Sequence, residues 1–351
     1  MDILINFIQR AIMQSTPILF GASGEILTEK SGNLNLGIPG IMYMGGVGGL
    51  IAAFMYELKA GENASGFVGM ILALLAALLL AAAGGLIYSF LTITLRANQN
   101  VVGLALTTFG TGFANFFGGS LNKLAGGAGQ VSAAKTYAAF TKPVPVLNGI
   151  PVIGQLVFSY GFLVYTAIII AFALTWFLLK TRRGLNLRAV GENAGTADAA
   201  GINVALYKYV ATTVGAAIAG LGGLYFVMDY IKGTWGESAF GDRGWLAVAL
   251  VILSIWNARS AIWGALIFGG LYTIDLPISA FMKYLQGTYG ESMGKGLLGF
   301  VVLMQSRQMK EVFKLLPYIA TIIVLVMTSR RNRPEDQPPA SLGLSYFREE
   351  R

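Results

Sequence analysis

Crossing a hydrocarbon core of about 30 Å takes roughly 20 apolar residues, and such runs recur here at residues 36–56, 66–95, 98–120, 156–179, 206–231 and 312–328. They predict six firm spans. Residues 3–27 are interrupted by Gln9 and Arg10, and residues 245–256 and 261–276 are short, so these three read as tilted, broken or re-entrant segments. The pattern predicts an all-α polytopic membrane protein with about 8–10 transmembrane or re-entrant helices. The membrane domain covers residues 1–330, with a cytoplasmic connection at 181–205. The tail at 331–351, with Pro334, Pro338 and Pro339 among charges, has the composition of a disordered segment.

The basic residues orient this pattern. Lys180, Arg182, Arg183 and Arg188 share one connection and Arg330, Arg331 and Arg333 follow the last span, which places both regions on the cytoplasmic side. Counting back puts Arg96 inside and residues 57–65 and 121–155 outside, where Lys123, Lys135 and Lys142 run against the rule. If residues 3–27 cross once, residues 28–35 are cytoplasmic and the amino terminus is outside. The polar, glycine-rich stretch Glu29-Lys30-Ser31-Gly32-Asn33-Leu34-Asn35-Leu36-Gly37-Ile38-Pro39-Gly40 can instead be unwound partway through the membrane, with the terminus inside. Backbone of that kind is tolerated only where it is buried in protein or lines a cavity. A fainter echo, Trp256-Asn257-Ala258-Arg259-Ser260 ahead of Gly264, Gly269 and Gly270, suggests two pseudo-repeated halves with discontinuous helices.

Composition agrees with the membrane reading: 55% of the 351 residues are apolar, 12% are charged, and 46 are glycine. With neither Cys nor His, thiol nucleophiles, Cys/His zinc sites and a histidine base are excluded. The net charge of +8 fits basic cytoplasmic loops and not a nucleic-acid partner. The start, Met1-Asp2-Ile3, lacks a basic leader, so the first apolar segment is expected to stay in the mature chain. No GxxxxGK[ST] run occurs, so any ATP is hydrolysed on another chain. Glu25, Asp229 and Asp275 sit near span edges, where they read as interfacial carboxylates and not as a proton path. No filter-like repeat points to a channel.

Two groups of residues carry candidate chemistry. In the cytoplasmic connection, Ala194 to Ala200 can form a short helix capped by Asn193 and stopped by Gly201, after a broken, glycine-punctuated start. Such a rigid knob can transmit a push from a docking partner; the alternative is a solvated connector. For a small polar solute, Asn33, Asn35, Asn98, Asn100 and Asn115 offer amide donors and acceptors, and Phe109, Phe113, Tyr225 and Trp235 offer aromatic faces. The same residue types also join and anchor membrane helices.

Arg188-Ala189-Val190-Gly191-Glu192-Asn193, continued by Asp198-Ala199-Ala200-Gly201-Ile202-Asn203, resembles the cytoplasmic loop of permeases of the branched-chain amino acid, ribose and nucleoside importer superfamily. Gly24 to Gly37, Asn98 to Thr107, Gly244 to Ala249 and Leu316-Pro317-Tyr318 extend the resemblance over residues 20–328, and are similar to the simple-sugar and nucleoside permeases paired with basic-membrane-protein lipoproteins. The resemblance implies a subunit without its own ATPase site in a bacterial inner or plasma membrane. Its partners would be ATP-binding subunits carrying ATP and magnesium, a second related permease, and an extracytoplasmic binding lipoprotein. Glu192, Asn193, Ala197, Asp198, Ala200 and Gly201 would belong to the coupling helix. The family often has an acidic residue where this chain has Pro39, which suggests a sharper backbone break there. The rival readings are an ion-gradient-driven transporter of small polar solutes and a membrane-embedded enzyme.

Overall fold

The computed structural model describes residues 2–127, 131–143, 153–237, 239–289, 295–331 and 337–347. Its helices are α1 (Asp2–Glu29), α2 (Ile38–Ala60), α3 (Gly66–Ser89), α4 (Gln99–Leu124), α5 (Ala134–Phe140), α6 (Ile153–Val157), α7 (Phe162–Lys180) and α8 (Arg182–Glu192). They continue with α9 (Ala194–Ala199), α10 (Val204–Tyr225), α11 (Arg243–Leu253), α12 (Ala258–Tyr272), α13 (Asp275–Tyr289), α14 (Lys295–Gln305), α15 (Arg307–Phe313) and α16 (Leu316–Arg331). Among the described residues no strand occurs. Six of the helical segments are long and apolar enough to cross a membrane: Ile38–Asn63, Gly66–Thr94, Gln99–Leu124, Phe162–Lys180, Val204–Tyr230 and Ala258–Thr288. The chain is a multi-pass, all-α membrane protein.

Two expectations about spans are corrected. The segment expected to be short at 261–276 is part of a longer apolar one, α12 with α13 over Ala258–Thr288, while α16 (Leu316–Arg331) carries the apolar run at 312–328. Gln9 and Arg10 do not interrupt α1, which runs 28 residues through Pro17, about 42 Å at ~1.5 Å per residue. Polar positions are accommodated there because partners meet them: Gln9 Nε2 donates to the Gln155 carbonyl at 2.9 Å and Gln14 Nε2 to the Tyr230 hydroxyl at 2.8 Å.

Helices α2 and α10 form the centre, with 83% and 72% of their apolar windows buried. Helices α1 and α3 pack against α10, α4 covers one side of α2, and α7 and α12 pack on α1. Between apolar helices in lipid the driving force is close packing, which small residues permit. A Cβ at Gly223 would collide with the Met42 carbonyl oxygen, and one at Gly45 would lie 2.5 Å from Gly220 backbone atoms.

Helices α3 and α10 each end in a five-residue wide turn, Phe90–Thr94 and Phe226–Tyr230. A basic residue with left-handed backbone follows each, Arg96 (φ 55°) and Lys232 (φ 58°). Opposite the connection at 181–205, Lys135 Nζ donates to the carbonyls of Gly61 and Glu62 at 3.1 and 2.6 Å, and Glu57 Oε1 accepts from the Thr136 amide at 2.6 Å. Lys135 thus meets the carbonyls that follow α2, where a positive charge is favourable.

Candidate functional site: a buried helix break, an exposed knob and an aromatic helix face

The polar stretch after α1 is unwound and buried. Asn33 Nδ2 donates to Thr212 Oγ1 at 3.0 Å, which sets the break level with a point about two turns into α10, or ~12 Å from its start. Unpaired backbone at that depth would be costly, and side chains from three helices, α1, α3 and α4, meet it. Leu34 N–H donates to Gln99 Oε1 at 2.7 Å, Asn35 N–H to Glu25 Oε1 at 2.9 Å, and Gly37 N–H to Asn35 Oδ1 at 2.9 Å. The Tyr88 hydroxyl donates to the Leu34 carbonyl and Thr107 Oγ1 to the Leu36 carbonyl at 2.7 Å. Pro39 does not sharpen this break: it lies in the first turn of α2, where a missing N–H costs nothing, and its ring packs against Gly244.

This bonding corrects the reading of the acids. Glu25 is wholly buried and does not reach an interface, because its carboxylate holds the Asn35 amide. One turn later Glu29 accepts from the Trp256 indole N–H, at a point where Ile255 and Trp256 both take left-handed backbone, φ 56° and 51°. The breaks before α2 and before α12 therefore meet, though nothing in this contact requires the two segments to be copies of one another. Asp229 is also buried, in the wide turn after α10. Asp275 is partly exposed at the start of α13.

Next to the break stands the knob. The expected broken start is instead a regular helix, α8, whose Gly191 packs on the backbone of Lys30 and Gly32. Burial and the Arg188 guanidinium hold the Lys30 ammonium below the usual lysine range. Asn193 is extended and caps α9, its Oδ1 accepting from the Thr196 amide at 2.9 Å. Gly201, at φ +82°, ends the element. Ala194 and Ala197 turn inward with Val190 and Val204 to form a small separate core, whereas Glu192, Asn193, Thr196, Ala199 and Ala200 are exposed. The result is a rigid knob with a small-residue outer face.

Residues 337–347 lie along this knob. Ser341 N–H donates to the Gly191 carbonyl at 2.9 Å and Gly343 N–H to the Gly32 carbonyl at 3.2 Å. The Ala340 amide donates to Glu192 Oε2 at 3.2 Å, the Tyr346 hydroxyl donates to Asp198 Oδ2 at 2.7 Å, and Phe347 lies under the Arg96 guanidinium at 4.6 Å. The tail thus joins knob, break and the start of α4. Asp198 faces this tail and is only partly exposed.

The expected solute-contacting residues do not converge on one point. Asn33 and Asn35 are buried in the break, where their amides serve backbone and Thr212. Asn98 is exposed and caps α4, accepting from the amides of Asn100 and Val101; Asn100 is exposed beside it. Tyr225 and Trp235 are 0% and 5% exposed and belong to the core, Trp235 against Gly118 and Tyr43. Phe109 and Asn115 lie along α4, which buries a stripe of Gly103, Leu106, Gly110, Ala114 and Gly118 on α2. Its other face exposes Val101, Leu104, Thr108, Phe109, Phe116, Phe117 and Ser120, with the Phe113 ring tilted between those of Phe109 and Phe117 at 5.9 and 4.6 Å. By contrast α3 exposes Leu72, Leu75, Leu79, Leu86 and Ile87. The α3 face is aliphatic, whereas the α4 face is aromatic with two hydroxyls, Thr108 and Ser120, that donate to the Leu104 and Phe116 carbonyls of their own helix at 3.1 and 2.8 Å.

Sequence reasoning missed Arg243. Its side chain is buried, with Nε donating to Gln14 Oε1 at 2.9 Å and Nη1 to the Phe240 carbonyl at 2.6 Å, and the guanidinium lies 4.6, 5.4 and 5.2 Å from the rings of Phe226, Tyr230 and Tyr272. The neighbouring Asp242 accepts from the hydroxyls of Tyr272 and Tyr318. This group ties α1, the wide turn after α10, α11, α12 and α16 together away from the knob. A charged pair directly ahead of the apolar run of α11 was the available signal.

The molecule is a multi-pass bundle with a buried helix break packed against an exposed knob. The family model described as the branched-chain amino acid transport system permease component matches residues 7–325, and the chain belongs to that permease family. It is similar to the nucleoside ABC transporter permease protein NupC of Lactococcus lactis, 31% identical over 74% of this chain and 78% of that protein. It is likewise similar to the guanosine ABC transporter permease protein NupQ of Bacillus subtilis, 31% identical over 78% of this chain and 83% of that protein. A protein of Haloferax volcanii described as a glucose ABC transporter permease is 28% identical over 99% of both chains. In the first two organisms a second permease protein, NupB and NupP respectively, matches as well.

Proposed function

We propose that this chain is the membrane-spanning subunit of an ATP-driven importer of nucleosides or simple sugars in a bacterial plasma membrane. The single observation that carries the coupling assignment is the α9 knob, which has its own small core, an exposed face of Asn193, Thr196, Ala199 and Ala200, and direct contact through α8 with the buried break. In this reading the knob end faces the cytoplasm and ATP-binding subunits, which carry ATP and magnesium, dock on Glu192 to Gly201. Closure of those subunits displaces the knob. Because Gly191 bears on Lys30 and Gly32, and the break holds Gln99 and Thr107, the displacement reaches α4 without a bond being made or broken in this chain.

The aromatic face of α4, around Phe109 and with Asn115 beside it, would line a path along that side, completed by a second, related permease and loaded by an extracytoplasmic lipoprotein. The matches to paired permease proteins in two organisms favour a heterodimer. Co-purification in mild detergent followed by mass spectrometry tests this. Recovery of an ATPase, a second permease and a binding lipoprotein, with nucleoside- or sugar-stimulated ATP hydrolysis, is the expected result. A chain that came away alone and moved solute in liposomes on an ion gradient would overturn it.

A further inference from the structure

The face of the bundle beside the knob contains a cleft of about 440 Å³ between the end of α3, the starts of α4 and α10, and the tail. Lys208 lines it. That side chain is 3% exposed, and its ammonium makes no hydrogen bond or ion pair with any described residue. A buried ammonium without a partner is costly unless an anion completes it. The positive end of α10 opens into the same cleft through Asn203, Val204 and Ala205, with Asn203 Oδ1 capping the Leu206 amide at 3.0 Å; Asn33 also lines the cleft, its Oδ1 enclosed and without a donor. Among the described residues the carboxylate in the lining is Asp198, whose Oδ2 accepts from the Tyr346 hydroxyl at 2.7 Å.

We propose that this cleft binds a phosphate ester, with the phosphate on Lys208 and the start of α10. Ser345 and Tyr346 line the cleft from the tail, so the bound ester would stiffen the same tail that holds the knob. A phosphorylated nucleoside or sugar and a glycerol-type anionic lipid headgroup share this chemistry.

The test uses the full chain in phosphatidylcholine nanodiscs, with acylation of Lys208 by an amine reagent followed by peptide mass spectrometry. Uridine 5′-monophosphate should protect Lys208 where uridine does not, which would assign a soluble ligand. Protection seen only in discs containing phosphatidylglycerol would assign the headgroup. The thermal midpoint should rise with the same ligand in wild type and in Lys208→Arg, and the rise should be lost in Lys208→Gln. Protection by neither source, equal protection by uridine, or an equal rise in midpoint in Lys208→Gln would overturn the site; the labelling arm stands even if Lys208→Gln fails to fold.

Discussion

The Tyr346 hydroxyl donates to Asp198 Oδ2 at 2.7 Å across 148 residues of sequence, so the tail is fastened to the element that a docking partner would push. A hydrogen bond to a charged acceptor contributes about 1.5–3 kcal/mol, reduced here by partial exposure to about 1 kcal/mol. Tyr346→Phe should therefore speed amide exchange across residues 194–200 by about fivefold. Hydrogen exchange by mass spectrometry checks this, and an unchanged rate would mean that the tail does not hold the knob.

Glu25 serves as an acceptor for the Asn35 amide. Glu25→Gln keeps an acceptor oxygen, whereas Glu25→Ala strands a buried N–H at a cost of about 1–3 kcal/mol. Thermal unfolding in detergent should show Glu25→Ala clearly destabilised and Glu25→Gln close to wild type. Uptake should also persist in Glu25→Gln, an outcome that a proton-coupled mechanism through this carboxylate forbids.

Gly223 and Gly112 make a matched pair. A methyl group at Gly223 meets the Met42 carbonyl, whereas one at Gly112 meets nothing within 4 Å. Gly223→Ala should cost about 1–3 kcal/mol through forced separation of α2 and α10. Gly112→Ala should be neutral or stabilising by up to about 1 kcal/mol through helix propensity. Equal midpoints for the two variants would contradict the close crossing.

On α4, Phe109→Ala and Asn115→Ala should raise the KM for solute uptake by about tenfold, the worth of one good contact of about 1.4 kcal/mol, with midpoints unchanged. Leu79→Ala, at a position 70% exposed on α3, should alter neither. Uptake kinetics in proteoliposomes decide between a path face and a lipid face.

The long apolar runs made α2, α3, α4, α7 and α10 legible in the sequence, because a helix in lipid satisfies its own backbone and needs only length and apolarity. Helix α1 was legible only as a broken segment, since the partners that accommodate its polar residues, Gln155 for Gln9 and Tyr230 for Gln14, lie 146 and 216 positions away. The α9 knob was readable from local signals, Asn193 as cap and Gly201 as stop. Its grip by Tyr346 was not, nor was the isolation of Lys208, which sits within an apolar run and shows its burial only when α3, α4 and the tail close around it. Asn33 and Asn35 were singled out for solute contact on residue type alone; their positions in the break instead give them hydrogen bonds to Thr212 and Gly37.

Ala197 is the point at which the central claim can be tested most directly. Its N–H donates to the Asn193 carbonyl at 3.0 Å and its side chain is 3% exposed in the core of the knob, so Ala197→Pro breaks α9 where it is most constrained. The measurement is solute uptake and ATP hydrolysis by the complete transporter in proteoliposomes, after confirming that the variant still assembles. The account predicts that uptake is abolished while ATP hydrolysis continues without stimulation by solute. Wild-type uptake by Ala197→Pro, with stimulated hydrolysis intact, would contradict it.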